Sequence, residues 1–299
     1  MTRIPAYLKK GDTVLVIATA RKRSAEMIAP AVKMLGEWGL KVEIGINAFN
    51  AHHQFAGTDE DRAADLQWAL DHKTAKAILV TGGGYGTLRI IDKVNFKGIL
   101  KHPKWFIGYS DVTIVHNRLH RLKMASIHGT MAFQFPKHTE ATLSIKKLLF
   151  GQRIKYNLVS NSLNRTGAAE AEIIGGNLSL LYAASGSVDD LKTKNKILFI
   201  EDVDEQLYHI DRMMLQLKRS GKLKDLKGLI VGGMTEMKDN AVLYGQTAEE
   251  IISDAVKEYN YPVCFNFPAG HIENNFAVYF GKKAKLVVGK NKVSLNYLY

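Results

Sequence analysis

The amino-acid sequence predicts an α/β protein, and three observations support that class. Short apolar runs rich in Val and Ile recur along the chain, amphipathic stretches of helical length separate them, and glycine-rich or polar turns follow several of them. This alternation is typical of parallel sheets flanked by helices. The length of 299 residues corresponds to about two domains at roughly 150 residues each.

The first domain is predicted to span residues 1–135. Its strands are expected at 13–18, 41–46, 77–81 and 105–108, and its helices at 24–38, 59–72, 87–94 and 111–122. Thr58 followed three residues later by Asp61 predicts a capping box at the start of the second helix.

A linker is predicted at 136–170, where Pro136, Asn161, Asn164 and Gly167 interrupt the periodicity. A second, smaller α/β domain is predicted over residues 171–299. Its expected elements are helices at 178–184, 205–220 and 247–259, strands at 197–200 and 228–231, and a strand-rich C-terminal end.

Composition excludes disordered and fibrous classes, because 46% of the residues are hydrophobic and 23% are charged. The net charge of +12 is spread over short clusters such as Arg21-Lys22-Arg23, which indicates solvated faces and no nucleic-acid partner. A single cysteine, Cys264, excludes an internal disulfide. No signal peptide or membrane span is expected, so the predicted location is cytoplasmic with no membrane partner.

A glycine loop, Gly82-Gly83-Gly84-Tyr85-Gly86, follows the third predicted strand. It precedes a helix, so its free N–H groups can hold an anion or an oxyanion. The loop fits neither the dinucleotide fingerprint nor the P-loop. A tight strand-to-helix turn without a ligand is the alternative.

A serine, Ser110, lies between the fourth predicted strand and the next helix, in Gly108-Tyr109-Ser110-Asp111. A serine in such a turn projects its hydroxyl from the sheet edge, with the next backbone N–H aimed at a developing oxyanion. The second glycine of the nucleophile-elbow motif is missing, and the alternative interpretation of Ser110 is a helix N-cap.

A serine nucleophile needs a base and an orienting acid. His271, in a polar turn after the apolar run 263–267, is the candidate base, with His128 as a weaker one. Glu201, which follows the apolar run 197–200, is the candidate acid. Asp204 and Glu205 are interpreted as complements to the dipole of the next helix, and His116 and His120 as packing or surface residues. No compact metal-ligand spacing occurs, and no metal is predicted.

Several further motifs accompany these candidates in chain order. They are Gly57-Thr58-Asp59, His128-Gly129, Gly175-Gly176-Asn177, Glu201-Asp202 and Gly270-His271. Together with the glycine loop and Gly-Tyr-Ser-Asp, they resemble the serine LD-carboxypeptidase family, which includes muramoyl-tetrapeptide carboxypeptidases and microcin-immunity hydrolases.

The resemblance implies a Rossmann-like, flavodoxin-like N-terminal domain that carries the nucleophile Ser110. It implies a C-terminal domain that carries Glu201 and His271, and usually a homodimer. The implied substrate is murein tetrapeptide, cleaved to release its terminal D-alanine in cell-wall recycling, with no cofactor. We expect the N–H groups of Asp111 and of Gly83 or Gly84 to form the oxyanion hole, and Tyr85 and Asn177 to contact substrate.

Two rival functions stay open at this point. One is a microcin-immunity-type hydrolase of peptide acyl-phosphoramidates, and the other is a non-catalytic module that binds an anion at the glycine loop. The sequence also departs from the family pattern, because Gly82 stands where the family has an arginine, and Ala18-Thr19-Ala20 replaces its Pro-Ser. The first departure removes a fixed positive charge beside the predicted oxyanion loop.

Overall fold

The computed structural model describes residues 2–299. In its first half, strands and helices alternate, and the sequence predicts all of them except the short helix at Lys97–Lys101 and the strand at Ser126–His128. The elements are β1 (Thr13–Ile17), α1 (Ala25–Glu37), β2 (Lys41–Ile44), α2 (Asp59–Asp71), β3 (Ala77–Val80), α3 (Thr87–Ile90), α4 (Lys97–Lys101), β4 (Trp105–Gly108), α5 (Thr113–Arg121) and β5 (Ser126–His128). The helix predicted at 87–94 is shorter, because a 3₁₀ turn follows α3 at Ile91–Lys93.

Five parallel strands form most of the first sheet, in the order β2-β1-β3-β4-β5. This order is that of flavodoxin-like folds, which bind ligands at the carboxyl ends of the strands near the β1/β3 switch point. Every residue of β3 and β4 is buried, because a doubly covered parallel sheet is apolar on both faces. The α/β class and the flavodoxin-like sheet are confirmed.

The segment predicted as a linker contains regular structure. It holds α6 (Thr139–Leu149) and β6 (Lys155–Val159), and Ile145, Leu148 and Leu149 of α6 are buried in the core. Pro136 and Asn161 lie in the turns on either side of these elements. The sequence did not predict α6 because its amphipathic pattern is short and is bordered by residues that interrupt periodicity. The domain boundaries themselves remain a prediction.

The second half contains ten further elements. They are β7 (Gly167–Asn177), α7 (Leu178–Ala183), β8 (Ile197–Val203), α8 (Leu207–Arg219), β9 (Gly228–Thr235), α9 (Ala248–Ala255), β10 (Val263–Cys264), β11 (Val278–Phe280), β12 (Lys283–Val288) and β13 (Lys292–Tyr297). Six of these strands, all except β11, join β6 in a mixed seven-stranded sheet of order β10-β9-β8-β7-β12-β13-β6. The strands from β10 to β7 are parallel, and the rest pair antiparallel.

One strand ties the second half of the chain to the first sheet. After β10 the chain returns, and β11 pairs antiparallel with β5 at the sheet edge. The largest buried cluster therefore contains side chains of both sheets, such as Trp105 from the first and Phe199 from the second. This shared core fixes the carboxyl end of β4 opposite the carboxyl end of β8. Within residues 2–299, the apolar stretch of every helix is too short to cross a bilayer.

The predicted capping box at α2 is present, and it gives a stability test. The Thr58 hydroxyl accepts a hydrogen bond from the Asp61 N–H at 3.1 Å, and the Asp61 carboxylate accepts one from the Thr58 N–H at 2.9 Å. Replacing Thr58 with Ala should lower the free energy of unfolding by about 1 kcal/mol, because a backbone donor loses its partner. Denaturant unfolding followed by circular dichroism measures this loss.

The matched control is Ser24→Ala. Ser24 is an exposed N-cap like Thr58, but its side chain makes no capping hydrogen bond to α1. The Ser24→Ala protein should unfold close to wild type, and Thr58→Ser should retain most of the stability. Equal losses for Thr58→Ala and Ser24→Ala would contradict the capping account.

Candidate active site

Ser110 lies at the carboxyl end of β4, in a sharp turn. Its φ is +61°, a left-handed conformation that is uncommon for a residue with a side chain. A Cβ on Gly108 would lie 2.9 Å from the Val112 side chain, so a small residue is needed where the chain turns. Tyr109 precedes the 3₁₀ turn at Ser110–Val112, and no side chain caps that turn. The N-cap interpretation of Ser110 therefore does not hold, and the turn has nucleophile-elbow form.

The hydroxyl of Ser110 is hydrogen-bonded to an imidazole from the other half of the chain. Its Oγ lies 3.0 Å from His271 Nε2, and His271 Nδ1 lies 2.6 Å from Glu201 Oε2. The structure thus brings together the three side chains selected from the sequence. Ser110 comes from the end of β4, Glu201 from β8, and His271 from the loop between β10 and β11.

Glu201 lies within β8, whereas the sequence predicts that the strand ends at residue 200. The β8–β9 pairing shifts register between Ile200 and Asp202 and then continues to Val203. The pairing resumes at Asp202, which the sequence pattern does not indicate because acidic residues are unusual in a buried strand.

A glycine permits the close approach of Glu201 to the histidine turn. Gly270 has φ +107°, and a Cβ there would lie 2.7 Å from the Glu201 Cβ. The Gly270 N–H donates to Asn275 Oδ1 at 2.8 Å, and the His271 N–H donates to Glu201 Oε2 at 3.1 Å. These two hydrogen bonds fix the turn, so the imidazole is presented at a set distance from β4.

The electrostatics of the histidine follow from its surroundings. Burial of the ring opposes a positive charge, but the adjacent Glu201 carboxylate, its hydrogen bond and the further charges of Asp202 and Glu236 outweigh burial and raise the pKa of His271. The Glu201 side chain is fully buried. A buried carboxylate that stabilises the imidazolium is the arrangement a serine base requires.

A second acid lies beside Glu201. Burial, followed by repulsion from Glu201, raises the pKa of Asp202 to about 7. Its two oxygens accept hydrogen bonds from the Asn177 amide at 2.7 Å and the Ser179 N–H at 2.8 Å. Asp202 therefore holds the start of α7 and does not reach the serine hydrogen-bond chain.

Asn177, a predicted substrate contact, is buried in the structure. Besides donating to Asp202, its side chain accepts from the Ser179 hydroxyl at 2.7 Å and from the Leu180 N–H at 3.2 Å, as the N-cap of α7. The structure thus uses this amide to cap a helix. The sequence could not show this, because Gly-Gly-Asn before an apolar run fits both roles. Tyr85, the other predicted contact, is exposed at the edge of the glycine loop.

The glycine loop lies directly against the nucleophile. A Cβ on Gly83 would lie 3.2 Å from the Ser110 Cβ and 3.3 Å from its Oγ, so only a glycine lets the loop backbone come this close. Gly84 has φ +109°. The loop therefore offers its backbone to any group bound at Ser110, beside the N–H of Asp111.

The carboxylate of Asp111 joins the loop to the elbow. Its Oδ2 accepts the Thr87 N–H at 2.8 Å, at the start of α3. Burial raises the pKa of Asp111 to about 6, although the hydrogen bonds from Thr87 and Gly86 oppose the shift. Asp111 belongs to the Ser110 turn, and Thr87 directly follows the glycine loop. Their hydrogen bond therefore fixes the position of the glycine loop relative to the Ser110 turn.

The remaining histidine candidates lie outside the hydrogen-bond chain. His128 is fully buried among the rings of Tyr109, Phe199 and Phe280, and burial lowers its pKa. It packs behind Tyr109 and has no hydrogen bond to Ser110. His116 is also buried, with its ring nitrogens 2.8 Å from the Ser126 hydroxyl and 2.9 Å from the Gly108 carbonyl oxygen. Burial lowers the pKa of His116 to about 4, as expected for a neutral packing residue.

Asp204 and Glu205 have partners other than the dipole of α8. Asp204 pairs with Lys238 at 2.5 Å, and Glu205 Oε2 lies 2.6 Å from His209 Nδ1. The second pair is a histidine–glutamate pair away from the serine, which makes it a natural control. No group of three His, Cys, Asp or Glu side chains among residues 2–299 is arranged to hold a metal ion.

Sequence reasoning missed two arginines at this site. Arg21 and Arg23, which the sequence places on a solvated face, follow β1 and lie against the glycine loop. The Arg21 N–H donates to the Gly83 carbonyl oxygen at 3.3 Å. The signal that could have found them is their position just after a strand of a flavodoxin-like sheet, at the edge where ligands bind.

The comparisons with known proteins agree with this fold and with the predicted family. The family model described as the LD-carboxypeptidase N-terminal domain matches residues 14–129, and the one described as the LD-carboxypeptidase C-terminal domain matches residues 170–286.

Relatives extend the likeness over nearly the whole chain. A probable murein peptide carboxypeptidase of Bacillus subtilis is 36% identical, over 94% of this chain and 91% of its own. The crystal structure of muramoyltetrapeptide carboxypeptidase from Oxalobacter formigenes superposes with a TM-score of 0.87 at 27% identity, covering 95% of this chain and 98% of that one. The microcin C7 self-immunity protein MccF, at 21% identity, shares the fold with a TM-score of 0.86 over 100% of this chain and 99% of its own. With both family domains matched in order along its length, this chain belongs to the LD-carboxypeptidase family of peptidases.

Proposed function

We propose that this protein is a serine LD-carboxypeptidase that releases the terminal D-alanine from murein tetrapeptide. The observation that carries the proposal is the continuous hydrogen-bond chain from Ser110 Oγ through His271 to Glu201. The names of the relatives support a murein peptide as the substrate class. A role in cell-wall peptide recycling, a cytoplasmic location and a homodimer stay predictions from the sequence.

The first half-reaction forms an acyl-enzyme. His271 Nε2 takes the proton of Ser110, and Oγ attacks the carbonyl carbon between the L-centre of the diamino acid and D-alanine. Glu201 holds Nδ1–H, which keeps Nε2 free to accept the proton and stabilises the imidazolium that forms. The imidazolium then protonates the departing amine of D-alanine.

The oxyanion is stabilised by backbone N–H groups. Asp111 supplies one donor, and Gly83 or Gly84 supplies the other. Such a donor is worth about 2.7–4 kcal/mol in the transition state. Because Asp111 also holds α3 through Thr87, the two donors keep their spacing as the tetrahedral intermediate forms. In the second half-reaction, a water molecule that loses its proton to His271 attacks the acyl group and restores the serine.

The first prediction from this mechanism concerns non-additive losses. Ser110→Ala and His271→Ala should each lower kcat for D-alanine release by about 10⁴-fold or more, and the double variant should be little worse than either. The reason is that the two side chains act as one unit. Mass-spectrometric analysis of tripeptide and D-alanine from a defined murein tetrapeptide measures the rate.

The control for this experiment is His209→Ala, which removes a histidine paired with a glutamate at the same 2.6 Å separation as His271 and Glu201. It should retain wild-type turnover. Full activity in Ser110→Ala would disprove the serine mechanism. Hydrolysis of a peptide acyl-phosphoramidate, with no D-alanine release by wild type, would favour the microcin-immunity type.

A second prediction concerns pH. A protonated His271 cannot accept the serine proton, so kcat/KM should fall as the pH drops through the pKa of His271. Because Glu201 contributes to raising this pKa above the ordinary value of 6.5, the acidic limb should lie above pH 6.5. Glu201→Gln removes that charge and leaves burial dominant, so the limb should move to lower pH while the plateau rate falls.

The matched control for the pH profile is Glu205→Gln, which changes the other histidine–glutamate pair. It should leave both the limb and the plateau where wild type has them. An acidic limb that stays in place in Glu201→Gln would show that another group determines the pKa of the limb. Glu201 would then not be the acid that orients His271.

A further inference from the structure

Two arginines from the loop after β1 lie against the glycine loop, at the β1/β3 switch point. A Cβ on Gly82 would lie 2.9 Å from Arg23 Nε, and a Cβ on Gly84 would lie 2.6 Å from Arg21 Cδ. Arg23 thus occupies the space that a side chain at position 82 would fill. A guanidinium from another segment of the chain therefore lies directly against position 82, where the family pattern has an arginine.

The surrounding loops hold these arginines in position. The Arg23 guanidinium lies over the ring of Phe133, with Cζ 4.6 Å from the ring centroid, and Nη1 donates to the Lys22 carbonyl oxygen at 3.0 Å. The backbone of Arg21 pairs with Phe55 in an isolated β-bridge and donates to Gly83. The Arg23 side chain and the Arg21 backbone are therefore fixed beside the glycine loop.

Neither arginine has an acidic partner within residues 2–299. No salt bridge in that part of the chain includes Arg21 or Arg23, and Arg23 Nε is buried without a hydrogen-bond acceptor. Burial, with repulsion from Arg21, lowers the pKa of Arg23. A partly buried cation without a counter-charge is costly to keep, and a bound anion satisfies it.

Consecutive residues of the glycine loop adjoin Arg23 and the nucleophile. A Cβ at position 83 would meet Ser110, and one at the neighbouring position 82 would meet Arg23, so both side chains lie against the same short stretch of the glycine loop. In a peptide ending in D-alanine, the terminal carboxylate carbon is three bonds beyond the scissile carbonyl carbon. The second carboxylate of a diamino acid side chain is further from that carbonyl.

We propose that Arg23, with Arg21 beside it, binds the terminal carboxylate of the departing D-amino acid. This inference rests on the proposed function and deepens it, since it names the group that makes the enzyme select the chain end. Arg23 would bind the carboxylate through its guanidinium N–H groups, and Arg21 would add charge at the exposed edge.

The test measures equilibrium binding in a Ser110→Ala background, where no turnover occurs. Two tetrapeptides with L-lysine as the diamino acid are compared by calorimetry, one ending in D-alanine and one in D-alaninamide. The lysine peptides lack a second diamino-acid carboxylate, which removes that competing source of the anion. The Ser110→Ala protein should bind the acid about ten- to a hundredfold more tightly than the amide.

Adding Arg23→Gln should remove that preference, with weaker binding of the acid and unchanged binding of the amide. The unchanged amide affinity also shows that the variant is folded. The control is Lys22→Gln, the same loss of one charge at the exposed position between the two arginines, and it should keep the preference.

Equal affinity of the Ser110→Ala protein for acid and amide would overturn the carboxylate subsite, and so would an undiminished preference after Arg23→Gln. Both results are independent of whether wild type releases D-alanine. The failure of this inference and the failure of the proposed function are therefore distinguishable.

Discussion

The 3.0 Å contact between Ser110 Oγ and His271 Nε2 is the interaction on which the rest of the site depends, because its two partners lie 161 residues apart in the chain, one after β4 of the first sheet and the other after β10 of the second. It forms only if the carboxyl ends of β4 and β8 face each other across a crevice. The return of β11 to pair with β5 and the hydrogen bond from the Asn177 N–H to the Thr113 hydroxyl, at 3.0 Å, hold them there. The packing of the two sheets therefore sets the distance between Ser110 Oγ and His271 Nε2.

Small residues make this distance possible. The Gly83 backbone lies against Ser110, Gly270 leaves room for the Glu201 side chain, and a Cβ on Gly176 would lie 2.5 Å from the Thr113 hydroxyl. Gly82 has a similar effect at the proposed carboxylate subsite, because the absence of a side chain at this position leaves room for Arg23. In each case a side chain would push apart elements that the chemistry needs in contact.

The sequence predicted four of the six strands of the first sheet, the capping box at Thr58 and the residues that the hydrogen-bond chain brings together. These features are local, or they occur as motifs at strand ends. What the sequence missed depends on tertiary contacts. The α6 helix is stabilised by burying Ile145 and Leu148, the Asn177 side chain is used by Asp202 and α7, and Arg23 is held by Phe133. Apart from α7, which directly follows Asn177, these partners are distant in sequence, so periodicity and spacing could not reveal them.

The central claim is that a histidine from the loop after β10 activates the serine at the end of β4. The rate at which a fluorophosphonate probe labels Ser110, measured by peptide mapping, tests this most directly because it needs no substrate assignment. We expect wild type to label at Ser110, and labelling to be lost in His271→Ala but retained in His209→Ala. A His271→Ala protein that labels at Ser110 as fast as wild type would contradict the account.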